Sequence, residues 1–215
     1  MRADNRAAVL LLATIGVAFG ARASAHRLDE FLQAARIGVE RDRVQLEMDL
    51  TPGIVVADGV IREIDVDRNG VLSQDEQRDY ADRVLSALTL RIDDSPLPRM
   101  QTAASSFPDV AALHTGDATI TIRAEADVAR LARGPHRLFF HNANAADSSV
   151  YLANALVSED LDVAVTEQQR AGDQSELTIG FVVRETSARR RWAWIGLGCV
   201  GLLTVSLTRR TRRNR

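Results

Sequence analysis

The chain has 215 residues, 46% hydrophobic, 5% aromatic and 26% charged, which excludes collagen-like, disordered and disulfide-scaffold classes. Its single cysteine, Cys199, excludes an intramolecular disulfide, and all 27 basic residues are arginine. The net charge of −2 hides an asymmetry: between residues 26 and 188, 16 arginines meet 28 acidic residues, a net charge near −12 that argues against nucleic-acid binding and favours attraction of cations.

Residues 1–25 have the pattern of a secretory signal peptide. Arg2 and Arg6 precede a short apolar run, Val9 to Phe19, and Ala23-Ser24-Ala25 supplies the small residues needed before a cleavage point. The alternative is a retained anchor, for which the run is short. No cysteine stands at the cut, which excludes a lipoprotein. Cleavage after Ala25 leaves His26 as the first mature residue. A terminal amine and its own imidazole can chelate copper, with His114, His136 or His141 as a possible partner. In that position A-H-R-L-D-E-F-L-Q resembles periplasmic copper-binding sandwiches that begin at histidine. It also resembles the opening of bacterial membrane-anchored proteins, some fused to metal-transporter-like membrane regions. The resemblance implies an alternative function, a periplasmic copper- or nickel-handling accessory.

Residues 26–188 are long enough for one domain with its own core. Ile37 and Val39, then Val44, Leu46, Met48 and Leu50, alternate at period two about a polar turn at Glu40 to Arg43. Thr51-Pro52 reads as a helix start, with threonine as N-cap and proline at the first helical position. Ile54, Ala57, Val60, Ile61 and Ile64 then recur at helical spacing, as do Tyr80, Ala81, Val84, Leu85 and Leu88 after a polar loop.

That loop runs D-V-D-R-N-G-V-L-S-Q-D-E, from Asp65 to Glu76. Calcium is a hard cation that takes six to eight oxygens at about 2.3–2.6 Å, and the loop offers oxygens at alternate positions of a tight turn. The segment resembles an EF-hand loop, and the resemblance implies that Asp65, Asp67 and Asn69 supply side-chain oxygens, Val71 its carbonyl, Ser73 its hydroxyl directly or through water, and Glu76 two carboxylate oxygens. Gly70 permits the backbone to redirect. Leu72 points an apolar side chain to the core, and Asp75 is not expected to ligate. Over all twelve positions and the flanking helices the segment resembles an EF-hand. That resemblance implies a Ca²⁺ site, here single rather than paired and without a methionine-rich target groove.

Further strands are predicted at Leu90–Ile92 leading into a turn at Asp93 to Pro96, at Ile120 to Ala126, at Leu138 to Phe140, at Val150 to Val157, at Leu161 to Val165 and at Leu177 to Val183. The expected fold is mainly β, an antiparallel β-sandwich with a helix–loop–helix insert at roughly residues 52–88. His136 and His141, five apart on one strand, fall on opposite faces, which argues against joint ligation. His141 to Ser149 reads as a polar loop at the edge of the sandwich.

From Trp192 to Leu207 runs a predominantly apolar stretch of sixteen residues, spanning about 24 Å as a helix, with arginines on both sides to extend the match to a bilayer. Residues 189–215 thus read as a transmembrane anchor with a basic cytoplasmic tail, the domain lying outside the cytoplasm in a bacterial envelope. A processed sorting tail is the alternative. No nucleophile elbow, phosphate-binding glycine loop, H-E-x-x-H or C-x-x-C is present, so no enzyme activity is expected, the alternative being an enzyme whose site one sequence does not reveal. The expected function is a membrane-anchored, extracytoplasmic calcium-binding module acting as an interaction protein whose partner the sequence does not name.

Overall fold

Alternating apolar residues pair β1 (Phe31–Val39) with β2 (Arg43–Pro52) in an antiparallel hairpin, one face of each strand buried. The computed structural model describes residues 29–184. The chain continues through α1 (Ile54–Ile64), α2 (Gln74–Ser86), β3 (Leu88–Ile92), β4 (Ser95–Pro96), β5 (Gln101–Ser106), α3 (Val110–Leu113), β6 (Ile120–Asp127), β7 (Gly134–Asn142), β8 (Ser149–Ala155), β9 (Val163–Arg170) and β10 (Glu176–Val183). The fold is mainly β. One sheet has the order β5-β6-β2-β1-β8 and the other β4-β3-β7-β10-β9.

The inward residues of both sheets meet in one core, as a sandwich requires. Ile37, Leu46, Met48, Leu50, Ile120 and Ile122 come from the first sheet, and Leu138, Phe140, Ile179 and Phe181 from the second. Each such side chain contributes about 1.5–3 kcal/mol through burial. The helix pair connects β2 of one sheet to β3 of the other and adds Ala57, Val60, Ile61, Ile64, Tyr80, Ala81, Val84 and Leu85 to the same core. Tyr80 meets Phe107 edge-on at 6.1 Å, and burial pushes the Tyr80 hydroxyl well above its ordinary pKa.

Several expectations are corrected. Thr51 and Pro52 do not start the helix. They finish β2, opposite Leu32 and Phe31, and Gly53 is the N-cap of α1. Ladder pairing with β1 outcompetes the local capping preference. Leu88 does not extend α2 but opens β3, paired with Asn142. The turn after Ile92 is only Asp93-Asp94, both at positive φ, and Ser95-Pro96 pairs back as β4. The sheets are not wholly antiparallel, since β8 lies parallel to β1. β8 ends at Ala155, and β9 starts at Val163, so Leu161 falls in the connection. The segment from His141 to Ser149 is more than a plain loop. Asn142 is buried and donates to Gln33 Oε1 at 3.0 Å, while Gln33, itself fully buried, donates to the Asn144 carbonyl and to Ser149. The expected signal peptide, His26 and the transmembrane anchor lie outside the described residues. Among the described residues, no helix is long and apolar enough to cross a membrane.

Gly116 sets the approach of α3 to the start of α1. Its φ is +79°, and a Cβ there would lie 2.6 Å from Ile54 Cγ1 and 2.8 Å from the Ile54 backbone nitrogen. Since one neighbour is backbone, the clash cannot be relieved by a rotamer change. Gly116→Ala is expected to cost about 2–4 kcal/mol, from left-handed strain and overpacking together, read as a lowered urea midpoint.

Candidate metal centre

The loop between α1 and α2 is built from its two ends. Ile64 is fully buried at the end of α1, and this fixes the next residue, Asp65, which is only 6% exposed. Both Asp65 oxygens turn into the loop: Oδ1 accepts the Asn69 N–H at 3.0 Å and Oδ2 the Gly70 N–H at 2.9 Å. Asp67 Oδ1 accepts the same Asn69 N–H at 3.1 Å, and Asn69 Oδ1 accepts the Val71 N–H at 2.7 Å. Successive side-chain oxygens thus face the inside of a tight turn. Arg68 at φ 59° and Gly70 at φ 78° make the reversal, and Gly70 takes the left-handed conformation expected of it.

The far end is closed by α2. Ser73 is its N-cap, and Ser73 and Glu76 form a reciprocal capping box. Glu76 Oε2 accepts from the Ser73 hydroxyl at 2.7 Å and the Ser73 N–H at 2.9 Å, and Oε1 accepts from the Val66 N–H at 2.8 Å. The Ser73 hydroxyl and amide, with the amides of Asp67 and Val66, hold the Glu76 carboxyl below its usual range, so it is ionised at neutral pH. The capping box was legible as S-x-x-E at Ser73 to Glu76, a signal that the ligand pattern overlies.

Asp65, Asp67 and Glu76 each present an oxygen, and these three atoms lie within 4.8 Å of one another. Two oxygens on one calcium ion, each at about 2.3–2.6 Å, can be at most about 5 Å apart, so the spacing fits. Among the described residues this is the one group of three or more acidic, histidine or cysteine side chains so placed. The ion pairs of the described residues use none of the three carboxylates. Asp75 instead pairs with Arg78 at 2.7 Å on the outside. Leu72 is half-buried against the core, and the Val71 side chain is exposed. The donor set is all oxygen, suited to a hard divalent cation.

Among the described residues the histidines do not assemble. His114 Nδ1 lies 2.8 Å from the Val110 carbonyl and its Nε2 2.9 Å from Asp58. His136 Nδ1 lies 2.6 Å from Asp93 and its Nε2 2.8 Å from the Ala132 carbonyl. Both nitrogens of each ring are therefore committed to protein groups. His136 shares the inward face of β7 with Leu138 and Phe140, and stacks on Phe181, whereas His141 falls on the other face. Comparison with family models, with curated proteins and with solved structures finds no match.

The His136–Asp93 pair carries a pH signature. Burial opposes the imidazolium, but the hydrogen bonds to Asp93 and to the Ala132 carbonyl, with the Asp93 charge, outweigh it, and the His136 pKa is raised. A raised folded-state value gives stability that is fully present below the unfolded pKa of about 6.5 and is lost as pH rises through the folded value. The urea midpoint of the protein is expected to fall as pH rises above about 6.5, and His136→Gln is expected to flatten that slope.

Proposed function

We propose that residues 26–188 form a calcium-binding module held outside the cytoplasm by the C-terminal segment, and that the ion ties the end of α1 to the start of α2. One observation carries this reading: Asp65 at the end of one helix, and Glu76 in the first turn of the next, bring carboxylate oxygens within 4.8 Å of each other and of Asp67. Asp65, Asp67, Asn69, Ser73 and Glu76 with the Val71 carbonyl would hold the ion. Bound calcium would supply positive charge where three carboxylates now repel. The role is structural or weakly responsive, that of an interaction module rather than an enzyme.

The loop's carboxylate and amide oxygens also organise its backbone. The N–H groups of Val66, Asn69, Gly70, Val71 and Ser73 have acceptors in Asp65, Asp67, Asn69 and Glu76. An affinity of order 10⁻⁴–10⁻³ M matches the calcium levels met outside a cell. The acidic domain raises the local concentration of cations.

Calcium titration of the full-length, detergent-solubilised protein is expected to give one equivalent bound. At a hundredfold excess over Kd the ion adds about 2.7 kcal/mol, seen as a rise in melting temperature that chelator reverses. Glu76→Gln should abolish most of that rise and lower the calcium-free melting temperature only modestly, because glutamine also completes a capping box but has one acceptor oxygen where Glu76 uses two. Ser73→Ala should show the reverse emphasis, costing about 1 kcal/mol without calcium through loss of the cap. A melting temperature indifferent to calcium and chelator in the parent protein overturns the proposal.

A further inference from the structure

The exposed large hydrophobic side chains of the described residues are not evenly spread. Val157 is 92% exposed and Leu161 87%, and both lie on the connection between β8 and β9. The other exposed large apolar residues range from 37% to 70%. Singly exposed apolar residues need no explanation, but two nearly bare ones in one short connection do.

This connection is held in place. The Leu156 N–H donates to the Ile37 carbonyl at 2.8 Å, and the Ser158 hydroxyl donates to the Val39 carbonyl at 2.7 Å. Asp160 accepts the Arg41 N–H at 3.3 Å and the Asp162 N–H at 2.9 Å, and Arg41 pairs with Asp162 at 3.4 Å. Tying down the backbone in this way while leaving Val157 and Leu161 outside the core keeps both side chains presented outward.

The position of the connection supplies the partner. Arg184, the last described residue, donates its N–H to the Asp162 carbonyl at 2.6 Å, one residue after Leu161. The chain therefore leaves the domain beside these two side chains. Eight residues further on, Trp192 begins the apolar stretch that ends at Leu207, with Arg189, Arg190 and Arg191 just before it. Eight residues reach at most about 29 Å, so a span beginning at Trp192 keeps this end of the domain near its bilayer. The neighbouring β6–β7 connection belongs to the same end, through Val128 N–H to the Asp42 carbonyl and Leu131 N–H to the Arg41 carbonyl, and carries the exposed Arg130. The junctions of α1 with β2 and of α2 with β3 lie at the opposite end, where Pro52 pairs with Phe31 and Leu88 with Asn142.

We propose that the Leu156–Asp162 connection is a membrane-contact edge, with Val157 and Leu161 entering the lipid interface beside the anchor and fixing the domain's orientation on the bilayer. The proposal rests on the reading of residues 192–207 as a span. Apolar groups of this kind enter the headgroup boundary to about 5–10 Å, and arginines beside them meet lipid phosphates. Glu159, exposed between them, favours a zwitterionic over a strongly anionic surface.

The test uses the full chain with Cys199→Ala, reconstituted in phosphatidylcholine vesicles. An environment-sensitive dye is attached in turn at Val157→Cys, Leu161→Cys and, as a control at the opposite end, Val55→Cys, itself 70% exposed. All three positions lie outside the core, and the melting temperature of each variant is checked against the parent. The expected result is blue-shifted emission at 157 and 161, quenched by lipids bearing a nitroxide near the headgroup, with neither effect at 55. Protein that stays with the vesicles through an alkaline carbonate wash, yet shows the same aqueous emission at all three positions, overturns the contact edge alone. Protein released by the wash overturns both the anchor and the contact edge.

Discussion

The junction of Ile64 and Asp65 is the constraint on which the candidate site depends. Ile64 is fully buried in the shared core, and Asp65, the next residue, must turn its carboxylate away from that core. A carboxylate this close to apolar packing is tolerable only when its oxygens are engaged, and the Asn69 and Gly70 amides engage one each. The loop winds around Asp65 for that reason. Hydrophobic burial therefore sets the position of an acidic group, and the acidic group in turn sets the path of the backbone.

Glu76 plays two parts at the other end of the loop. It closes the N-terminus of α2 through Ser73, and it reaches back across the turn to the Val66 amide. Capping and cation binding ask for the same thing, a carboxylate near the positive end of a helix, pointing into the loop. The two roles are separable by chemistry, because a neutral amide satisfies a cap but offers a divalent ion far less. A helix pair built this way joins its two ends through the capping box and the Val66 amide, and the same carboxylates face the turn.

Much of this was legible in the sequence. The alternation in β1, β2, β6 and β10, the helical spacing on both sides of Asp65 to Glu76, and the opposite faces of His136 and His141 follow from period counting. What escaped has physical causes. β5, Gln101–Ser106, is a largely exposed edge strand that buries little, so no apolar period marks it. The parallel pairing of β8 with β1 leaves no trace in periodicity, which shows a strand's faces but not its neighbour. Gln33 stands at a core position and reads as a defect in the pattern until its partners Asn142, Asn144 and Ser149 arrive from more than a hundred residues away. Leu161 continues the apolar alternation of Val163 and Val165, yet lies outside the strand and bare to solvent. In that last case the pattern was real and its usual meaning, burial in the domain's own core, did not apply.

That misreading bears on how the two ends of the domain differ. One end carries both junctions of the helix pair and the Gln33 network, and its polar groups find partners within the protein. The end from which the chain leaves at Arg184 uses hydrogen bonds to hold a connection on which Val157 and Leu161 stay nearly bare. A soluble domain gains nothing from that arrangement, since ordering a backbone costs about 1–2 kcal/mol per residue and exposed Val and Leu return none of it. A domain tethered a few residues from a bilayer does gain, because the same side chains are buried once the lipid is counted as part of the fold. The two proposals together give the sandwich two interfaces of opposite chemistry, an oxygen-lined loop for a hard cation and an apolar edge for lipid.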